Sequence, residues 1–224
     1  MDFLKLIQSL DELLYEVMSW LIFYPVTLWR ALAQPLKMMD YSEAELGDPA
    51  ERQYTDTLSP PLFLLLTLVL CHAIELSIVG QNAVILRRTG LGGLVNDDST
   101  YILLRVAFFS LFPLIMAARL VRARNVKLDR VPLKAPFYSQ CYVTAPFALM
   151  VSTSGILMQL KPGDSPLWGL ALLIAALLWF GSLQILWFAQ HLRIGRLRAA
   201  LHASRAMVEA LIAFVAISLI FVGT

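Results

Sequence analysis

Two stretches of this chain, Ala135–Leu160 and Ser165–Gln190, run for 26 residues each without a single Asp, Glu, Lys or Arg. About 20 helical residues cross the ~30 Å hydrocarbon core of a bilayer, so each stretch is long enough to span it. A lone segment in hydrocarbon must satisfy its own backbone hydrogen bonds, which dictates α-helix. Alternating barrel strands of ~10 residues do not fit such continuous runs. Three more stretches follow the same logic. Pro61–Gly80 carries only Glu75, and the run from Ala206 to the C-terminus carries only Glu209. The run Tyr101–Val121 has Arg105 and Arg119 near its ends, where their long stems let the guanidinium groups reach polar surroundings.

Composition points the same way. Of 224 residues 58% are apolar and 15% charged, against roughly half and a quarter in soluble domains, which argues against a soluble enzyme. A net charge of +2 gives no footing for a nucleic-acid partner. Cys71 and Cys141 lie inside apolar runs, so no disulfide framework is implied. The expected fold is all-α, a polytopic membrane protein with five transmembrane helices over residues 61–224 and a separate segment over 1–60.

The N-terminal segment reads differently. Phe3, Leu6, Ile7, Leu10, Leu13, Leu14 and Val17 recur at three- and four-residue steps, with Lys5, Asp11, Glu12 and Glu16 between them. That is an amphipathic helix. It leads into Val17–Trp29, uncharged but short for a span and interrupted by Pro25, with Trp20, Tyr24 and Trp29 of headgroup-boundary type. Met1–Leu36 is therefore expected to be an interfacial element along the membrane, with a sixth span as the alternative. An acidic start and the lack of a small-residue cleavage site argue against a signal peptide.

The loops predict orientation. Arg122, Arg124, Lys127, Arg130 and Lys134 stand between spans two and three against Asp129 alone, and Arg193, Arg196, Arg198 and Arg205 stand between spans four and five with no acid. Two helices separate these loops, so they share a side, and the positive-inside rule places that side in the cytoplasm. The remaining connections are balanced: Arg87 and Arg88 with Asp97 and Asp98, and Lys161 with Asp164. With five spans the N-terminus is cytoplasmic and the C-terminus outside, in a bacterial inner membrane. Residues 1–60 hold ten acids and four bases, a net −6, which leaves +8 for residues 61–224. Asp40–Asp56 is thus expected either to dock on the basic loops or to be a solvated linker.

Three groupings invite chemistry. His72 and Glu75 share a helical face beside Cys71, and Arg105 lies at similar depth on the next, antiparallel span. This cluster is either an ion pair fastening two helices or a proton relay or ligand pocket. One His, one Glu and one Cys lack the spacing of a zinc motif. Arg198, His202, Arg205 and Glu209, at steps of four, three and four, form a ridge on one side of a helix. That ridge, with the bases Arg122–Lys134 and Arg193–Arg196, is suited to anionic headgroups or an acidic partner, or only fixes topology. The glycine cluster Arg87–Gly93 lacks a P-loop ending and reads as a turn. Pro113 and Pro146 should loosen their helices. Gln140, Ser152, Thr153, Ser154, Ser182 and Gln184 are candidates for interhelical hydrogen bonds. No residue set argues for an enzyme, a cofactor or a metal.

Short motifs carry a family likeness over residues 26–222. Val26–Arg30 followed by Pro35, Asp56–Pro61, Tyr142–Pro146 and Ser204–Ala206 together resemble the Yip family of five-span membrane proteins. At residues 56–61 only the Asp and Pro of the family's motif are kept, at altered spacing. The resemblance implies a non-enzymatic membrane protein. Two functions are carried forward: a scaffold or adaptor engaging lipid or protein partners, and a small transporter or channel subunit built on His72, Glu75 and Arg105. Either leaves room for a homo-oligomer or a larger complex.

Overall fold

The computed structural model describes residues 2–80, 98–160 and 165–222, all of them helix or connecting turn. The Arg87–Gly93 cluster, Lys161 and Asp164 lie outside the described residues. The helices are α1 (Asp2–Ala33), α2 (Pro35–Glu45), α3 (Pro60–Val79), α4 (Asp98–Ala123), α5 (Arg130–Gln159), α6 (Ser165–Leu192) and α7 (Arg196–Val222), with a single 3₁₀ turn at Ala50–Arg52. Local chemistry sets the boundaries. Pro35 and Pro60 open α2 and α3, where the missing N–H would have had no helical partner anyway. Asp129 accepts from the Arg130 amide at 2.6 Å and caps α5. α4 and α6 end in the same way. Asn125 and Arg193 sit at φ 55° and 53°, and the next amides, Val126 and Ile194, reach back to Val121 and Ala189 at 3.2 and 3.3 Å. These are the bonds of a Schellman cap.

Four helices are long and apolar enough to cross a membrane: Pro60–Val79, Arg105–Ala123 within α4, Arg130–Gln159 and Pro166–Leu192. They coincide with the first four runs anticipated from the sequence. α5 starts five residues before the expected Ala135, because the Asp129 cap extends the helix through polar residues. α7 starts ten residues before Ala206 and is not among the four. Pro113 and Pro146 stand inside helices that continue through them.

α5 is the axis of the bundle and touches α1, α2, α3, α4 and α6. Every residue from Ser139 to Ala148 is buried, as expected of a helix walled on all sides. On one flank Phe112, Met116, Phe147, Phe180, Trp187 and Phe188 pack α4, α5 and α6 together, with Phe147 stacked on Phe180 at 4.4 Å. α7 joins through Ala199, Ala203, Ala206 and Ala210, all buried, small side chains that let the backbones approach. The other flank joins α1, α2, α3 and α5 through Phe63, Leu64, Leu68, Cys141, Tyr142 and Ala145. α5 and α6 close tightly at Gly169, where a Cβ would stand 2.8 Å from the Ser154 carbonyl oxygen.

α1 packs on α5 and α2, and meets α3 and its lead-in more sparsely. Arg30 binds Asp56 at 2.7 Å, Thr27 accepts from the Leu58 amide at 3.1 Å, and the Tyr24 hydroxyl donates to Thr67 at 3.2 Å with its ring 5.5 Å from Phe63. Deeper along both helices, Val17, Trp20 and Leu21 face Leu66 and Leu70 across an apolar crevice of about 300 Å³. Numbers fall along α1 as they rise along α3, so the two run antiparallel.

Candidate functional site

The Glu75–Arg105 pair is formed. Arg105 Nη1 lies 2.7 Å from Glu75 Oε2, with the side chains 10% and 16% exposed. Arg105 Nη2 also donates to Ser152 Oγ at 2.5 Å. The pair therefore ties α3 to α4 and, through Ser152, to α5. His72 is buried on α3 one turn before Glu75, and Cys71 is buried beside it. Among the described residues no three His, Cys, Asp or Glu side chains gather as a metal site. The depth argument located both ends of the pair from sequence, but Ser152 was foreseen only as a generic hydrogen-bonding residue.

At the opposite end of the bundle, where the basic loops emerge, the acidic segment is docked. Its partners are not the ones its charge suggests. Asp56 takes Arg30 on one oxygen and the Tyr41 hydroxyl on the other, each at 2.7 Å. Glu43 lies 3.2 Å from His191 Nε2, and Asp40 accepts from Gln190 at 3.3 Å. Ser139 of α5 donates to the Met39 carbonyl at 2.9 Å, and Tyr142 donates to the Leu58 carbonyl at 2.7 Å. Tyr54 takes Glu45 on its amide and donates its hydroxyl to Ser42 at 3.3 Å. The segment thus lies on the ends of α5 and α6. Among the described residues no acid of the segment pairs with a base of either loop, which corrects the expectation that Asp40–Asp56 docks there.

These contacts have electrostatic consequences. The Arg30 guanidinium and then the Tyr41 hydroxyl hold the Asp56 carboxyl below the usual carboxylate range. Burial pushes the Tyr54 phenol up to about 12. A depressed carboxylate contributes stability above its unfolded pKa of about 3.9, and that contribution fades as pH falls through its lower native value. Asp56 is 55% exposed, so solvent screening keeps the effect within about 1 kcal/mol. Asp56→Asn is expected to lower the unfolding midpoint slightly at pH 7, with the gap to the parent narrowing as pH falls below the ordinary carboxylate range, measured by denaturant titration over that series.

The bases behave differently. Arg122, Arg124, Lys127, Arg130, Lys134, Arg193, Arg196 and Arg198 make no ion pair among the described residues, and all are exposed. Lys134 lies 5.5 Å over the Tyr138 ring. The one acid in the first loop, Asp129, is occupied in capping α5. On α7 each ridge residue stands one position before a buried alanine, so the ridge flanks the packed face. Arg205 pairs with Glu209 at 2.9 Å along the helix. His202 stacks on Phe188, with ring centroids 6.2 Å apart. Burial, then Arg119 and Arg205, hold its imidazole below its ordinary pKa and favour the neutral form.

A recess of about 310 Å³ at the same end is lined by Trp29, Arg30, Gln34, Lys37, Tyr41 and Asp56. Sequence reading missed this recess and the two joints His191–Glu43 and Gln190–Asp40. The Trp29-Arg30 step, an aromatic followed by a base at the end of an uncharged run, was the available signal for the recess. Gln140 and Gln184, buried between α5 and α6, form a reciprocal amide pair at 2.8 and 2.7 Å. Thr153, Ser154 and Ser182 spend their hydroxyls on carbonyls of their own helices. The chain matches no protein-family model, and neither curated proteins nor solved structures include a match to it.

Proposed function

We propose that this protein is an integral membrane scaffold or adaptor of Yip-like kind, whose basic loops engage anionic phospholipid headgroups or an acidic partner. In this reading α3 to α7 make five crossings of a bacterial inner membrane, with both basic loops and the 34–59 segment cytoplasmic. The observation that carries it is the separation of charge. Asp40, Glu43 and Asp56 are taken up by Gln190, His191, Arg30 and Tyr41, while among the described residues eight bases in two loops stand exposed with no carboxylate partner. Bases in such clusters attract anionic headgroups by about 1 kcal/mol each. Arg193 adds a local argument. It occupies a left-handed position at φ 53°, at a cost of about 1 kcal/mol or more for a residue with a Cβ, where glycine would end the helix freely and remove the charge.

That position supplies a test that leaves most of the loop charge in place. Arg193→Gly is expected to hold or raise the thermal midpoint, since the backbone strain goes. Native mass spectrometry with added phosphatidylglycerol should show several-fold weaker lipid retention, more so with Arg196→Gln added. Undiminished retention in the double variant would remove the second loop from the account.

The transporter reading rests on the cluster of His72, Glu75 and Arg105, to which Ser152 adds a hydrogen bond. Both charges of that cluster are satisfied by each other and by a third helix, which favours a fastening role.

A further inference from the structure

We propose that α1 crosses the membrane beside α3, as a sixth span, and that the N-terminus lies on the face opposite the basic loops. The inference is independent of the lipid-binding reading, because it rests on register alone. Arg30–Asp56 and Thr27–Leu58 join α1 to the lead-in of α3, Tyr24 reaches Phe63 and Thr67 on α3 itself, and Val17, Trp20 and Leu21 share a crevice with Leu66 and Leu70, so the register falls along α1 as it rises through the lead-in and α3. A helix lying on the surface would meet α3 only at its first turn. Leu70 is ten residues past Pro60, about 15 Å along the helix axis, so Val17–Leu21 sit near half the depth of an apolar core ~30 Å thick.

The side chains match that depth. Over residues 17–29 the face toward the bundle carries Trp20, Phe23, Tyr24 and Leu28. The face away from it carries Met18, Ile22 and Trp29, each more than 60% exposed in the isolated chain. A helix that is apolar on both faces has no side to offer water, and the medium that suits it is hydrocarbon. The crevice between α1 and α3 is likewise apolar throughout, a shape for lipid tails.

Continuing in the same helix, α1 reaches Asp11 about 28 Å from Arg30, the thickness of one hydrocarbon core. Between Asp11–Glu12 and Arg30 the only charge is Glu16, within snorkelling distance of the far boundary. Lys5 is then the one base at the far end of α1, against Arg30 at its near end with Lys37 and Arg52 just beyond it, the bias the positive-inside rule asks for. Neither basic loop has to change sides.

Single cysteines decide this in a chain whose buried Cys71 and Cys141 are replaced by alanine. Lys5→Cys, with Gln8→Cys as the second position, is labelled by a membrane-impermeant maleimide in intact or inverted membrane vesicles. Thr55→Cys, exposed at the basic end, is the reference. Labelling of the N-terminal positions in the vesicle orientation that protects Thr55→Cys is the expected result. Labelling of either N-terminal position together with Thr55→Cys would overturn the proposal. So would free labelling of Leu21→Cys from the Thr55 side, since that position would then be in water.

Discussion

Glu75→Gln is expected to lower the stability of the reconstituted protein by about 3 kcal/mol, near the low end for one partner of a buried ion pair. Arg105 is 10% exposed and keeps only Ser152 once the carboxylate is gone. A guanidinium cannot shed its proton to escape a low-dielectric site. The reverse substitution, Arg105→Gln, should cost less, because a carboxyl left alone can neutralise itself by binding a proton. The double variant Glu75→Gln/Arg105→Gln is expected to recover part of the loss, and thermal unfolding of the four proteins in nanodiscs closes the cycle. Equal losses that simply add would mean that the two groups are not coupled. A Glu75→Gln protein of undiminished stability that has lost a measurable flux would instead establish the transporter reading.

The second large effect belongs to the Gln140–Gln184 amide pair. Each side chain donates to and accepts from the other while 0% and 1% exposed. Gln140→Leu deletes one amide and strands the other between α5 and α6, at an expected cost of about 1–3 kcal/mol. Leu at both positions removes the stranded group, and the double variant should be more stable than either single one. The same nanodisc unfolding assay reads it. A double variant weaker than both singles would mean that the pair contributes shape as well as hydrogen bonds.

What the sequence disclosed and what it hid have physical reasons. The middles of four helices were legible because hydrocarbon tolerates almost no charge, so the runs announce themselves. Their ends were not. α5 extends back to Arg130 and α7 to Arg196, where the helix leaves the apolar slab and composition no longer constrains it. Glu75 and Arg105 could be paired on depth alone, because ionisable groups inside a membrane are few. The docking of the acidic segment could not be read from charge. Counting formal charges pointed to the arginine-rich loops, whereas the carboxylates found Arg30 of α1, Tyr41, His191 and Gln190, none of them a base of those loops. The side-by-side register of α1 with α3 was hidden for a related reason. It depends on Thr27, Tyr24 and Thr67, polar groups that hydropathy scores as interruptions.

The seat of α2 on the ends of α5 and α6 also sets an order of assembly. Met39 waits for Ser139 and Glu43 for His191, partners that leave the ribosome about 100 and 150 residues later. Synthesis runs from the N-terminus, and contacts so distant in sequence bear a large loop-closure cost before they stabilise anything. The seat of the segment from Gln34 to Ser59 therefore forms first on α5 and is completed only when α6 has been made. A chain halted before α5 would leave Met38, Met39 and Ser42 uncovered, three residues that the finished protein buries. The closing of this latch is thus a late event that only a chain carrying both α5 and α6 can complete.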